Sequence, residues 1–404
     1  MKIIIQKFGG TSLKDDNGRK QAIEHIRTAV LNGYKVVVVV SAMGRKGDPY
    51  ATDTLLDLIF AKRPAIRATF SKREVDLLMS CGEIISAVVM SSLLHEQQLK
   101  AKVLPGTLAG IITNDEYGNA RILDVKAERI ISEFREFDVI VVPGFQGVTI
   151  DNEITTLGRG GSDTSAAALG AALHAEYVDI FTDVEGIMTA DPSIVSGAKS
   201  IKTLTYHEVC NLAYQGAKVI HPRAVEIAKQ AKVPIRIRST FSKKEGTIVS
   251  DQHEQKFRDQ IVTSITYVKN LAQIKIINKT YSRRLQFEIF KAMAENEISV
   301  DFINISPNAI SFTVSDEVID KAVEVIKQLG YDPKVEKECA KVAAVGAGMT
   351  GVPGVAAKIV KALMNNGIEI LQSADSHTTI WVLVKQKDLT QAVNALHETF
   401  QLHR

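Results

Sequence analysis

The chain is poor in cysteine. Cys81, Cys210 and Cys339 are widely spaced and odd in number, so they supply neither a disulfide framework nor a zinc-ligand pattern, and they fit a reducing compartment. No apolar run reaches 18 residues and the N-terminus has no signal-peptide core, so the expectation is a cytoplasmic protein with no membrane partner. A basic tract is missing too. The 49 lysines and arginines are interspersed with 46 acids for a net charge of +3, and nucleic acid is not an expected partner. What is present is a soluble globular composition, 45% hydrophobic over 404 residues, too long for one ordinary core and suited to two or three domains.

One stretch is dense in chemistry. Lys7-Phe8-Gly9-Gly10-Thr11-Ser12 directly follows the apolar run Ile3-Ile4-Ile5, so Met1 to Gln6 reads as a first buried strand that ends in a glycine turn. Backbone N–H groups in such a turn can approach an anion closely, Lys7 adds a point charge, and the hydroxyls that follow can meet phosphate oxygens or metal-bound water. Taken alone, the hexamer reads first as an ordinary strand-ending turn with a surface lysine.

The chain beyond it alternates. Gly18 to Asn32 carries an apolar stripe at helical spacing, and Val36 to Val40 is an unbroken valine run, the mark of a strand covered on both faces in a parallel sheet. Ser41-Ala42-Met43-Gly44 ends that run. The polar segment Arg45 to Asp53 after it is either a lid over a pocket at the strand ends or a surface loop. Further strands are expected at Asp138 to Val142, Tyr177 to Phe181 and Val233 to Ile237, with helices between most of them. The first 250 residues thus read as a doubly wound α/β domain.

A second cluster, Thr156 to Ser165, contains Gly158-Arg159-Gly160-Gly161-Ser162-Asp163 and runs into the small-residue helix Ala166 to Ala175. Ser162 or Asp163 can cap that helix, whose positive end would face an anion. Arg159 offers a planar fork for a carboxylate and Asp163 a partner for an ammonium group. Two weaker signals accompany it. Glu83 is expected at the start of a helix Ile84 to Leu94, where it is either a ligand contact or a plain N-terminal acid, and Lys218 precedes the helix-starting pair His221-Pro222.

The last third repeats itself. Asp251 to Asp259 is polar without apolar period, as in a linker, and beyond it Phe290-Lys291-Ala292-Met293 matches Val360-Lys361-Ala362-Leu363 at an offset of 70 residues. Asn296 and Asn366, Ile298 and Ile368, Val314 and Val384, and Ala322 and Ala392 share that offset. Each copy reads strand, helix, strand, strand, helix, as in a ferredoxin-like unit. Gly346-Ala347-Gly348-Met349-Thr350-Gly351 satisfies a dinucleotide pattern, but it lies inside the second copy with too little chain after it for a dinucleotide-binding sheet.

Taken in order, Lys7 to Ser12, Ser41-Ala42-Met43, Gly158 to Asp163, and Phe181-Thr182-Asp183 through Thr189-Ala190-Asp191-Pro192 resemble the motifs of the aspartate kinases of the amino-acid kinase superfamily. The paired repeats resemble ACT domains, amino-acid-sensing modules. The resemblance implies a three-layer doubly wound, mostly parallel amino-acid kinase fold over residues 1–250, a linker at 251–264, and ACT domains at 265–335 and 336–404 that can interleave. It implies transfer of the γ-phosphate of ATP, with Mg2+, to the side-chain carboxylate of L-aspartate. The product, 4-phospho-L-aspartate, would be the first intermediate toward lysine and diaminopimelate, threonine and methionine. Lys7, Arg159 and Asp163 would be catalytic; Ser41, Thr52, Glu83 and Arg159 to Asp163 (Gly160, Gly161 and Ser162 included) would surround aspartate. Lys7, Phe8, Gly9, Gly10, Thr11, Ser12, Thr182, Asp183, Met188, Thr189, Ala190, Asp191 and Lys218 would meet the nucleotide, and no protein metal ligand is assigned. An amino-acid effector at the ACT domains and a homodimer formed through them are also implied. The first copy carries Tyr281-Ser282-Arg283-Arg284 where ACT loops commonly have an acid and Pro-Gly, so no effector contacts are transferred. Kinases of glutamate, acetylglutamate, carbamate or nucleoside monophosphates are the rival enzymes, and a sensor with a decayed kinase domain is the rival from another class.

Overall fold

The computed structural model describes the chain except residues 218, 252–260, 278–282, 308, 347–348, 350–351 and 404. It divides into two compact units. The first comprises Met1–Ile187, Ser200–Tyr214 and Lys218–Lys256, and the second Met188–Lys199, Gln215–Ala217 and Phe257–Arg404.

The first unit is built on an eight-stranded sheet in the order Thr203–Leu204, Thr247–Val249, Ile235–Ser239, Val178–Thr182, Ile3–Phe8, Lys35–Val40, Val139–Pro143, Ala101–Val103. Its central strands are all parallel, and only the pair Ile235–Ser239 and Thr247–Val249 runs antiparallel. The valine run is fully buried, since helices cover both faces. Ala22 and Ile26 of the helix Asp16–Leu31, and Ala87 and Met90 of the helix Lys72–Glu96, pack against Val36, Val38 and Val40. The small-residue helix Gly161–Ala172 lies on the other side against Ile3–Phe8, Lys35–Val40 and Val178–Thr182. Gly170 makes that approach possible, because a Cβ there would stand 2.5 Å from the Val178 side chain. A smaller sheet orders Ile122–Val125, Ile111–Thr113, Gln146–Val148 and Ile154–Thr156.

Register sets the site. Phe8 lies level with Val40 and Phe181, and Val40 with Pro143, so the loops after four strands leave the same edge of the sheet. The first strand runs two residues further than its apolar pattern suggests, because Lys7 and Phe8 still pair with neighbours on both sides.

In the second unit a six-stranded antiparallel sheet orders Asp301–Ser306, Ala309–Ser315, Ser264–Ile277, Lys334–Val345, Thr379–Lys385 and Gln372–Asp375. The two copies interleave. Ala272, Ile274 and Ile276 pack with the helices Arg283–Glu295 and Ile319–Gln328, whereas Ile265, on the same strand, packs with Val355–Asn365 and Leu389–Thr399. Ala190 and Val195 are buried in that second core, so a segment that the sequence groups with the kinase motifs is packed as part of the repeat unit.

Candidate active site

Lys7 reaches from the end of the first strand to Asp163, with its Nζ 2.7 Å from Oδ1, and both side chains are largely buried. The other carboxylate oxygen of Asp163 accepts the His221 backbone N–H at 3.3 Å. The glycine turns are locked together by close backbone approach. A Cβ on Gly10 would stand 2.6 Å from the carbonyls of Ala42 and Gly44, and the Gly44 N–H donates to the Gly10 carbonyl. The Ser41 hydroxyl donates to that of Ser162 at 2.9 Å, which ties the loop after the valine strand to the start of the helix Gly161–Ala172.

That helix is not capped as expected. Gly160, at φ +68°, occupies the N-cap without a side-chain bond, and Ser162 and Asp163 stand in the first turn, where they line the cavity and bond to Ser41, Lys7 and His221. The left-handed backbone brings Gly160 so close to the His221 ring that any Cβ would collide with it.

Glu83 differs more from its expectation. The helix begins at Lys72, so Glu83 is an interior residue, only 3% exposed, rather than an N-terminal acid beside the helix dipole. Its Oε1 accepts the Ala42 N–H at 3.1 Å, while Oε2 is buried with no hydrogen-bond partner among the described residues. Burial pushes its pKa up to about 8, against the pull of the Ala42 N–H. Asp76, two turns earlier on the same face, is fully buried and accepts from Gly118 N, Thr156 N and the Thr156 hydroxyl; burial raises its pKa as well. By length and hydropathy the helix Lys72–Glu96 could cross a membrane, but these two acids, bonded to neighbouring loops, mark it as a core helix of this unit.

Lys7, Gly10, Ser41, Thr52, Glu83 and Arg159 to Asp163 line one cavity of about 460 Å³. Asp53, Leu56, Met79, Gly118 and Phe145 also belong to its wall. Phe145 adopts φ +68°, rare for a bulky side chain, and the Pro143-Gly144 pair after a buried strand was the visible signal for a special turn there. Asp76 and Glu83, two turns apart on an apolar helix, were another such signal.

Other expected nucleotide residues lie elsewhere. Phe8 is buried and stacked on Phe181, and the Ser12 hydroxyl is spent on Thr240 at 2.7 Å, so it holds the loop in place instead of facing a phosphate. Asp183, half exposed, pairs with Arg45 of the polar segment after the valine strand. Met188 to Asp191 fall in the second unit. There, although burial works the other way, bonds from Ser193 and Tyr267 hold the Asp191 carboxyl below its usual range. Lys218, Tyr281, Ser282 and four residues of the Gly346 to Gly351 motif lie outside the described residues.

A lysine, an arginine and two glycine turns thus gather at the carboxyl ends of a parallel sheet's strands, a site built for anions, and residues 2–239 match the amino acid kinase family. Residues 334–398 match an ACT domain. Aspartokinase 1 of Bacillus subtilis (strain 168) is 58% identical over the full length of both chains, and the aspartokinase of Geobacillus stearothermophilus is 41% identical over all of this chain and 98% of its own. The crystal structure of E. coli aspartokinase III in complex with aspartate and ADP (R-state) is similar at a TM-score of 0.79 and 27% identity, covering 98% of this chain and 99% of that one. This chain belongs to the aspartokinase family.

Proposed function

We infer that the chain is an aspartate kinase, which moves the γ-phosphate of ATP onto the side-chain carboxylate of L-aspartate and is feedback-regulated through its ACT repeats. The observation that carries the chemistry is the single cavity shared by Lys7, Arg159, Asp163 and Glu83. The acceptor carboxylate, with a solution pKa of about 3.9, is already ionised at neutral pH and requires no base. The task is to bring two anions together, which calls for fixed positive charge and oriented N–H donors. Lys7, oriented by Asp163, supplies the charge toward the phosphates, and the Gly9-Gly10 turn supplies close backbone approach.

Arg159 is suited to the α-carboxylate of aspartate. Because Asp163 is engaged by Lys7 and His221, the unpartnered Oε2 of Glu83 is the better seat for the substrate ammonium. Magnesium would neutralise phosphate charge when bound with ATP. An ion held mainly by phosphates and water would need no dedicated set of protein ligands.

We further propose a cytoplasmic homodimer at the head of lysine, threonine and methionine synthesis. The free state of all three cysteines suits a reducing compartment, and the outer strand Asp301–Ser306, with Ile303 and Ile305 exposed, suits pairing with a second copy. Light scattering should return twice the chain mass. ADP release measured with aspartate, glutamate and N-acetylglutamate tests the activity: aspartate should be preferred by orders of magnitude, and equal use of another acceptor would overturn the assignment.

A further inference from the structure

Arg159 enters the cavity from a short stretch between the strand Ile154–Thr156 and the helix Gly161–Ala172. Gly158, at φ +73°, and Gly160, at φ +68°, flank it, and glycine constrains a backbone least of all residues, so the place of the guanidinium depends on what anchors its neighbours. Those anchors are explicit. The Leu157 N–H donates to the Phe145 carbonyl at 2.8 Å, and the Leu157 carbonyl accepts from the Arg223 guanidinium at 3.3 Å. Gly158 lies against the turn at Gly118 and Asn119, where a Cβ would stand 2.8 Å from the Asn119 side-chain oxygen and 3.1 Å from the Gly118 carbonyl.

That turn is stapled to the strand by Asp76. Its Oδ2 accepts the Gly118 N–H at 2.9 Å and the Thr156 N–H at 2.7 Å, and its Oδ1 accepts the Thr156 hydroxyl at 2.8 Å. Asp76 is fully buried and these three donors are uncharged. An acid so placed is costly, and burial raises its pKa against the pull of the three bonds. Its use is direction: a carboxylate only accepts, so it fixes the sense of every bond it makes.

Arg223 closes the frame from the other side, with a second bond to the Ala120 carbonyl at 2.9 Å, while the Ala120 N–H donates to the Thr156 carbonyl at 2.9 Å. All of these residues belong to the kinase unit. The Gly10 turn is held by a different set, Ala42 and Gly44.

We propose that Asp76 is a positioning residue for Arg159: by joining the Gly118 turn to Thr156 it fixes the backbone that carries the guanidinium, so its loss is felt as affinity for the acceptor's α-carboxylate and not for the nucleotide. This rests on the aspartokinase reading for the identity of the acceptor. It adds the residue that holds Arg159 in place and the substrate group that depends on it.

Steady-state assays with aspartate, and competition by β-alanine, which is aspartate without its α-carboxylate, test it. Asp76→Ala leaves two buried N–H groups without an acceptor and should raise KM for aspartate about thirtyfold, with KM for ATP and the inhibition constant of β-alanine within about twofold of the parent. Asp76→Asn should stay within about threefold, because its amide oxygen accepts both N–H groups while its amide nitrogen donates to a reversed Thr156 hydroxyl. A double-mutant comparison separates positioning from general loosening. On an Arg159→Ala background, Asp76→Ala should change kcat/KM for aspartate less than about twofold. Arg223→Met removes the opposite side of the frame, should give the same split at about fivefold, and stands in if Asp76→Ala fails to fold. Equal KM for aspartate in Ala, Asn and parent chains, a matching rise in KM for ATP, or an undiminished cost on the Arg159→Ala background would overturn the proposal. A parent chain that phosphorylates a different amino acid would instead sink the acceptor assignment, and the same variants measured with that acceptor would still decide the role of Asp76.

Discussion

In the kinase unit the acids Asp76, Glu83 and Asp163 are buried at or beneath the cavity, each turned toward a loop that the cavity needs. In the repeat unit the buried charge-bearing groups among the described residues are Lys341 and His397, and both stand at a seam. Lys341, at the start of the second copy, pairs with Asp301 of the first, and His397 meets the segment contributed by the kinase part of the sequence. The contrast teaches where desolvation is tolerated. A buried charge costs several kcal/mol unless it is paired, so away from the cavity the kinase unit buries Asp179 against Arg236 and Glu133 against Lys102 and Arg129, while the repeat unit buries charge at its seams.

The sharpest way to break this contrast is to remove the charge nearest the chemistry. Lys7→Ala should lower kcat at least a hundredfold, about 3 kcal/mol of transition-state stabilisation, with KM for aspartate changed less than about threefold. Stopped-time product assays at saturating ATP would show it, and near-normal turnover would refute the role given to Lys7.

Glu83 gives the next largest effect and a pH signature. Its raised pKa means that the folded chain holds a proton that the unfolded chain has released between about 4.5 and 8. This stabilising contribution is complete below the unfolded value and disappears as pH rises through about 8. Substrate binding has the opposite sign. An ammonium group requires the carboxylate, so KM for aspartate should fall about tenfold per unit as pH rises toward 8 and then level off. In Glu83→Gln the profile should be flat and KM high throughout; a sloping profile in that variant would assign the titration to another group.

The smallest effects separate seam from surface within the same property, charge pairing. Lys341→Ala removes a buried stem and its pair with Asp301, and should lower stability by about 1–2 kcal/mol in urea titrations. Lys244→Ala removes an exposed pair with Glu185 and should change stability by less than about 0.5 kcal/mol. Equal costs for the two would erase the distinction drawn between seam and surface.

Much of the first unit was legible because its signals are local. Five consecutive valines specify a strand covered on both faces, and Gly-Arg-Gly-Gly before a small-residue helix specifies a close-packed turn. The 70-residue offset was equally plain, since duplicated cores keep their apolar spacing. The start of the helix Lys72–Glu96 was not. Asp76 and Glu83 interrupt its apolar pattern, and nothing nearby in sequence shows that Thr156, Gly118 and Ala42 satisfy them. Removing residues 265–404 would strip Ala190 and Val195 of their core and Thr189 of its partners.

The sequence by itself determined what patterns along the chain can encode: alternating strands and helices, glycine turns shaped for anions, a duplicated unit, and the candidates Lys7, Arg159 and Asp163. Only the tertiary structure decided which groups meet. It spent Asp163 on Lys7, turned Ser12 toward Thr240, left one oxygen of Glu83 without a partner among the described residues, and committed Thr189 and Asp191 to the repeat unit. Periodicity is set by neighbours along the chain, whereas hydrogen-bond partners and pKa values are set by atoms brought close from hundreds of residues away, and no local pattern records them.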